Sequence, residues 1–306
     1  MKAEPKWINR PPQFWHYVRV ISQHLGYARK GEIYRHEPEA IERALRELEL
    51  SVDALRLTPI PGLSVGELAE YFDFRADLIH GTIAANLQNA SEAKKTFEQV
   101  VEKFTTGMTP QFKGGKENSR LYRVNGGVPV VVPYNKQKGD KRDIDFLTGT
   151  TNILLSYYLG GESFDQDPRQ LPVVTEDGVV SGSMSRRMDG AYPDSVNPSA
   201  IWEFKCYYYT TTFGSKISDA VYITDLDGYE RGEILKASHK RVENNVFLDA
   251  YSVFMEQGLS FLVRLVDMLQ RGAVDNLVFG KEVLTAVPEI VKGWQELRAQ
   301  SGEADA

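Results

Sequence analysis

The stretch that decides the fold runs from residue 186 to residue 206 and reads RRMDGAYPDSVNPSAIWEFKC. Its last five residues alternate between apolar and charged side chains, in the order Trp202, Glu203, Phe204, Lys205 and Cys206. Because successive side chains of a strand point to opposite faces, this spacing predicts a strand with one apolar and one charged face. The Pro, Asp and Asn residues before it predict a turn, so the segment predicts a β-hairpin.

The register of this hairpin decides which side chains meet. Folding it about Val196 brings Asp189 opposite Glu203, and Arg187 opposite Lys205. Cross-strand partners share a face and lie roughly 5 Å apart. We therefore expect Asp189, Glu203 and Lys205 to converge on one spot, unless a β-bulge shifts the register.

The paired carboxylates of Asp189 and Glu203 predict a metal site. Two carboxylates held this close repel each other unless a cation lies between them. Their oxygens suit a hard divalent ion, and Mg²⁺ is the expected one. Such an ion can hold a phosphate oxygen and stabilise the charge of an in-line displacement. Because Lys205 can orient the attacking water or neutralise charge beside it, a phosphodiester is the expected substrate.

This arrangement resembles the signature of a known group of enzymes. Asp189, followed by Glu203-Phe204-Lys205 on a predicted strand with a helix after it, resembles the PD-(D/E)XK nuclease superfamily, and more narrowly Type II restriction endonucleases. The resemblance covers about residues 143–270 in element order, and only Asp189, Glu203 and Lys205 match position by position. It implies a restriction-endonuclease-like mixed β-sheet core flanked by helices.

The resemblance also implies roles for the site residues. Asp189 and Glu203 would bind one or two Mg²⁺ ions, with Mn²⁺ as a substitute, and the backbone carbonyl of Phe204 would join them. Lys205 would assist the attacking water. The literal Pro-Asp dipeptide ends at Asp194, which stays open as the alternative first ligand.

The activity implied is Mg²⁺-dependent, sequence-specific cleavage of double-stranded DNA in restriction–modification and phage defence. A homodimer would place two sites about a two-fold axis to cut both strands of a palindrome. A DNA methyltransferase acting on the same site would be its partner. Two alternatives stay open: a nuclease effector of another antiviral or repair system, and a non-catalytic DNA-binding protein.

The bare Glu-x-Lys tripeptide is weak evidence, because it occurs three times, starting at Glu4, Glu92 and Glu203. Only the third copy has a predicted strand around it, an Asp-Gly before it and a helix after it. The competing interpretation is a surface hairpin with an exposed Glu–Lys pair, which would contribute little to stability.

A basic stretch lies upstream, between residues 113 and 142, where eight Lys and Arg residues stand against two acidic ones. The apolar run Val128–Val132 predicts a short strand there, flanked by basic loops. We expect the cations to contact DNA phosphates, with a solvated surface loop as the alternative. They are Lys113, Lys116, Arg120, Arg123, Lys136, Lys138, Lys141 and Arg142.

Further phosphate contacts are expected where the hydroxyl-rich segment after Cys206 meets the start of the next helix. A plain strand end followed by a helix cap is the alternative interpretation. With Arg187, the residues predicted to bind DNA here are Thr211, Thr212, Ser215 and Lys216.

Composition limits the classes of protein. The chain has 306 residues, 42% of them hydrophobic, which is ordinary globular usage. A formal charge of -6 excludes a protein that coats nucleic acid through bulk positive charge, but not one with a local basic cleft. The single cysteine excludes an internal disulfide framework. Because the chain lacks a membrane-length apolar run and a secretory signal, we expect a soluble cytoplasmic protein.

The pattern along the chain predicts a mixed α/β (α+β) fold. We expect a helical N-terminal region over residues 1–106 with a DNA-recognition or dimerisation role, a nuclease core over 107–300 and a frayed tail over 301–306. Residues 63–87 have the pattern of two short helices around a turn, in which Arg75 opens the second helix. Plain helix packing is the preferred interpretation, and a DNA-reading helix–turn–helix is the alternative.

Around the hairpin we predict helices at Asp143–Leu159 and Ser215–Tyr229, and a buried strand at Val246–Phe254. The next helix carries an apolar stripe that is either core or a dimer surface: Leu259, Leu262, Leu265, Val266 and Leu269.

Overall fold

Two four-stranded sheets and the helices around them make up the architecture, in a computed structural model that describes residues 1–57, 60–137, 140–209 and 215–304. The predicted mixed α+β fold class is confirmed. None of the described helices combines the length and apolarity that crossing a bilayer requires.

The N-terminal region is mainly helical. Several helices begin with proline, whose fixed φ and missing N–H suit the first turn. The elements are α1 (Pro5–Ile8), α2 (Pro12–Leu25), β1 (Ala28–Arg29), β2 (Glu32–Ile33), α3 (Pro38–Glu47), α4 (Val52–Leu57), α5 (Val65–Leu78) and α6 (Ala84–Asn86). The apolar sides of α1 to α5 meet in one cluster that includes Trp7, Phe14, Trp15, Tyr71 and Phe72.

The turn predicted within residues 63–87 is wrong, and plain helix packing, the preferred interpretation, is what the structure shows. Ser64 does cap α5, since its Oγ accepts a hydrogen bond from the Glu67 N–H at 3.2 Å. The chain then continues through a π-helical turn, Ile79–Ile83, directly into α6. Arg75 lies inside α5 and is fully buried, so it opens no second helix. The missing turn has a physical reason: Phe72, Arg75 and Ala76 flank the expected break and are all buried, so a continuous helix keeps them packed in the core.

The basic stretch is also more regular than predicted, because it forms an antiparallel sheet rather than one strand flanked by loops. This sheet packs with the helices on either side of it in one apolar cluster. The elements are α7 (Ala90–Phe104), β3 (Thr105–Lys113), β4 (Lys116–Val124), β5 (Val130–Gln137), β6 (Asp140–Ile144) and α8 (Phe146–Tyr158).

The remaining chain builds the central sheet, whose strand order is β12-β11-β10-β9. β9 is antiparallel to β10, while β10, β11 and β12 are parallel. A separate hairpin of β7 and β8 turns at Asp177 and Gly178, both with positive φ, which is the geometry that a two-residue Asp-Gly turn requires. The elements are β7 (Val173–Glu176), β8 (Val179–Ser183), β9 (Gly190–Tyr192), β10 (Ala200–Cys206), α9 (Ser215–Ser238), β11 (Glu243–Asp249), α10 (Leu259–Gln270), β12 (Asn276–Phe279) and α11 (Val283–Ala304).

Helices cover both faces of the central sheet. α8 and α11 pack on one face, where Trp202 and Phe247 join their cluster. On the other face, Ile234 of α9 packs against Ile201, and α10 packs against Val246 and its neighbours. This layering leaves the site described below between β10 and α9.

Several predicted boundaries need correction. The strand predicted at Val246–Phe254 ends at Asp249, and a π-helical turn, Ser252–Gln257, follows it. α9 continues past Tyr229 to Ser238, and α11 continues to Ala304, where a frayed tail was expected. The apolar stripe of α10 lies in the core, so it is not a dimer surface.

A buried ion pair joins the N-terminal region to the core. Arg75 Nη1 donates to both carboxylate oxygens of Asp267, at 3.1 and 3.0 Å. The Tyr71 hydroxyl donates to the same carboxylate at 2.6 Å, and Ser22 lies 3.3 Å from the guanidinium. The Arg75 side chain is 0% exposed, so its charge depends on this partner.

We predict that Asp267→Ala lowers the free energy of unfolding by about 3–5 kcal/mol, because it leaves a buried guanidinium uncompensated. Urea denaturation monitored by circular dichroism measures this. Lys236→Ala is the control, because it removes an exposed ion pair on α9 and should leave the transition unchanged. A loss below about 1 kcal/mol for Asp267→Ala would contradict the prediction.

Candidate active site

The β9–β10 hairpin has the register expected from the sequence. Tyr192 pairs with Ala200 and Gly190 with Trp202, so the next step along the ladder brings Asp189 to Glu203. The backbone confirms this, because the Asp189 N–H donates to the Trp202 carbonyl at 3.0 Å. The Asp189 carboxylate also accepts a hydrogen bond from the Phe204 N–H, at 2.7 Å from Oδ2.

A close crossing holds this register. A Cβ atom added to Gly190 would lie 2.0 Å from the Trp202 ring, which real atoms cannot do, so only glycine fits opposite this tryptophan. The indole then stacks on Trp294 of α11, with ring centroids 5.3 Å apart. Trp202 therefore faces the core, and Glu203 and Lys205 face the opposite side, towards α9.

The charged face of β10 forms a tight cluster. Glu203 Oε1 accepts from Lys205 Nζ at 2.5 Å, and Glu203 Oε2 accepts from Arg186 Nη1 at 2.8 Å. The side chains of Glu203 and Lys205 are only 12% and 8% exposed. This is not the solvated surface pair of the competing interpretation.

Helix α9 contributes a further carboxylate through Arg186. Arg186 Nε and Nη2 donate to the two oxygens of Asp227, at 2.8 and 2.6 Å, and the Asp227 side chain is 2% exposed. Neither Arg186 nor Asp227 was assigned a role from the sequence. The available signal was helical spacing, since Val221, Thr224 and Asp227 lie on one buried stripe.

The site shifts the acidity of its groups. Asp189 keeps exposed surface, but protein atoms crowd its carboxylate, and this desolvation, together with the charge of Glu203, raises its pKa to about 6. Burial also raises the pKa of Asp227 against the opposing pull of Arg186. Although burial opposes it, the carboxylates of Asp227 and Glu203 raise the pKa of Arg186, which stays charged.

These residues fit a hard divalent cation. Among the described residues, the Phe204 N–H is the one donor to the Asp189 carboxylate, and it engages Oδ2, so Oδ1 can serve a ligand. The repulsion that raises the pKa of Asp189 is what a cation would relieve. Mg²⁺ commonly binds through one or two carboxylates and keeps several waters. Within the described part of the chain, no group of three or more His, Cys, Asp or Glu side chains could hold a metal, so a cation here would have only this carboxylate pair and a backbone oxygen as protein ligands.

Two predicted site residues do not join the cluster. Asp194 lies in the exposed turn, five positions from Asp189, where its carboxylate accepts from the Ser195 N–H at 2.5 Å. It is therefore not the alternative first ligand, because the turn carries it away from Glu203. Arg187 is exposed rather than opposite Lys205, since β9 begins only at Gly190, and Arg186 reaches Glu203 instead.

The predicted DNA contacts are only partly described. Lys113 and Lys116 are exposed and pair across the tip of the β3–β4 hairpin, and Arg123 is exposed on β4. Arg120 is half-buried between Glu117 and Tyr134, at 2.8 and 3.0 Å. Lys138, Thr211 and Thr212 lie outside the described residues, and only the backbone is described for Lys136, Lys141, Arg142, Ser215 and Lys216.

Comparison with family models divides the chain in two. Residues 88–294 match the family described as Domain of unknown function (DUF7687), and residues 1–82 match Domain of unknown function (DUF7690). Because the first match spans more than half of the chain, the protein belongs to the DUF7687 family. No curated protein and no solved structure matches the chain. The matches meet before α7, earlier than the boundary predicted at residue 106, and α7 indeed packs into the core with α8.

We predict that Asp189→Asn removes one pH-dependent component of stability. The ordinary pKa of an aspartate is near 3.8, and the folded state raises that of Asp189 to about 6. This group therefore stabilises the fold below about pH 4, and the contribution is lost as the pH rises through 6. Asparagine keeps an acceptor for the Phe204 N–H.

Urea denaturation of both proteins in EDTA, from about pH 4.5 to 7.5, measures this. The stability of the variant relative to the natural protein should rise across that range. A constant difference would show that Asp189 titrates at its ordinary pKa.

Proposed function

We propose that this protein is a Mg²⁺-dependent endonuclease that cuts double-stranded DNA at specific sequences, in the manner of Type II restriction enzymes. The observation that carries the proposal is the convergence of Asp189, Glu203 and Lys205 on the charged side of one hairpin. The mixed sheet flanked by helices, with Glu203 on a central strand followed by a helix, supports the PD-(D/E)XK resemblance.

In this proposal, Asp189, Glu203 and the Phe204 carbonyl hold Mg²⁺. The ion, when bound, supplies Lewis-acid stabilisation of the charge that develops on the phosphodiester. Lys205 keeps its ammonium group beside Glu203 and orients the attacking water. Arg186 is a positioning residue: with Lys205 it holds the two oxygens of Glu203 in place.

The proposed substrate is DNA because the chain also carries exposed cations along the antiparallel sheet that contains β3 and β4. The exposed Lys113, Lys116 and Arg123 lie on a sheet that packs against α8, and α8 in turn packs on the central sheet. Cations on a regular sheet present a fixed spacing to a phosphate backbone. A homodimer and a companion DNA methyltransferase belong to the same proposal.

Incubation of the purified protein with plasmid and phage DNA tests the function. Discrete bands with Mg²⁺ and none with EDTA are expected. Smearing at all sequences would favour a nuclease effector of another defence or repair system. Gel shifts without cleavage would favour a non-catalytic DNA-binding protein.

We predict that Asp189→Ala, Glu203→Ala and Lys205→Ala each reduce cleavage by about a hundredfold or more, because each removes a group that would act on the reacting phosphate. Rates of plasmid nicking and linearisation measure this, with circular dichroism as the check that each variant folds. Lys94→Ala is the matched control, because Lys94 ends another Glu-x-Lys tripeptide but lies exposed on α7. Full activity in Glu203→Ala would reject the assignment.

Reversing three charges of the β3–β4 sheet should weaken DNA binding. The triple variant Lys113→Glu, Lys116→Glu and Arg123→Glu removes up to three phosphate contacts, so the slope of log affinity against log salt should fall by up to about 3. Fluorescence anisotropy with a labelled duplex at several salt concentrations measures it.

The control for this experiment has the same net charge change elsewhere on the surface: Arg43→Glu, Arg46→Glu and Lys236→Glu. Its salt slope should stay near that of the unchanged protein. Equal slopes for the two triple variants would exclude this sheet as a DNA contact.

A further inference from the structure

A groove unrelated to the Asp189 cluster lies between the N-terminal region and the core. Its main cavity, of about 650 Å³, is lined by side chains from α2, α9 and α10. A second cavity of about 590 Å³ shares Arg19, Tyr222, Asp225 and Arg271 with the first, so the two adjoin along the outer side of α9. This volume suits a small organic ligand.

Three arginines line the main cavity: Arg19, Arg264 and Arg271. Of the two carboxylates there, Asp267 is already paired with buried Arg75, and Asp225 contacts Arg271. Within the described part of the chain, no carboxylate forms an ion pair with Arg19 or Arg264. The groove therefore holds an excess of positive charge.

Two of these arginines are in environments that are unfavourable for a guanidinium. Burial, with the nearby Arg19 as a smaller cause, lowers the pKa of Arg271 to about 10. Arg264 Nε is buried and, among the described residues, has no hydrogen-bond acceptor. A buried donor without a partner costs free energy, which an anionic ligand would recover.

Aromatic rings lie next to these cations. The Arg264 guanidinium lies over the Tyr27 ring, 4.6 Å from the ring centroid, and Tyr27 lines the cavity. Tyr222 and Tyr229 are 66% and 65% exposed, and they lie seven residues apart on α9, so both face the groove from the same side of the helix. Exposed rings beside arginines are the elements that bind nucleobases and phosphates together.

We propose that this groove binds a nucleoside phosphate, with the phosphates on Arg19 and Arg271 and the base on Tyr222. Such a ligand has an anionic group for the arginines and a flat ring for the tyrosines. An inorganic anion would contact only the arginines. This proposal does not depend on nuclease activity, because the groove shares no residue with the Asp189 cluster.

Isothermal titration calorimetry with the full chain in EDTA tests the proposal, with ATP, GTP, CTP and UTP as separate probes. At least one should bind with a micromolar Kd. Arg19→Glu should weaken that binding at least tenfold and Tyr222→Ala severalfold, since both side chains are exposed and their loss spares the core. Arg46→Glu, an exposed arginine on α3, and Asp189→Ala should bind like the unchanged protein.

Three results would overturn the proposal. One is no heat from any of the four nucleotides up to about 1 mM. Another is unchanged affinity in Arg19→Glu and Tyr222→Ala, or loss of binding in Asp189→Ala, which would move the ligand to the candidate active site. The third is displacement by inorganic pyrophosphate as effective as by the nucleotide, which would leave an anion site without a base.

Discussion

The crossing of Trp202 over Gly190 is the constraint on which the site depends. The indole of Trp202 occupies the space that a Cβ atom at position 190 would need. The same indole stacks on the Trp294 ring, which fixes its position. A slip of one residue would drive the ring into a Cβ atom and turn Glu203 into the core. The same packing that buries a tryptophan thus determines where Asp189 and Glu203 meet, so packing and chemistry are set by one contact.

Charge balance is the second organising feature, and it links elements far apart in the chain. Arg186 joins Glu203 on β10 to Asp227 on α9, while Arg75 joins α5 to Asp267 on α10. Each guanidinium balances the charge of a buried carboxylate, Asp227 in one case and Asp267 in the other. Both pairs lie where two layers of the fold meet. Their geometry therefore ties the helices to the sheet as well as neutralising charge.

The sequence reveals the local features of this protein better than its long-range ones. The alternation from Trp202 to Cys206 and the turn residues before it are enough to predict the hairpin, its register and the meeting of Asp189 with Glu203. Helical spacing could have indicated that Asp227 is buried, but its pairing with Arg186 depends on how α9 docks, which no local pattern encodes. The turn expected before Arg75 was wrong for a related reason: tertiary burial of Phe72, Arg75 and Ala76 favours a continuous helix over the break that local composition suggests.

The five ionisable side chains of the cluster have a consequence for how the site meets an anion. Asp189, Glu203 and Asp227 carry three negative charges when ionised, against the two positive charges of Arg186 and Lys205. Without a bound cation, these five side chains have a net charge of −1 and repel a phosphodiester. A single dication would invert the sign to +1 and turn repulsion into attraction. Binding of the metal and binding of the polyanion would thus be thermodynamically coupled, because each raises the affinity for the other.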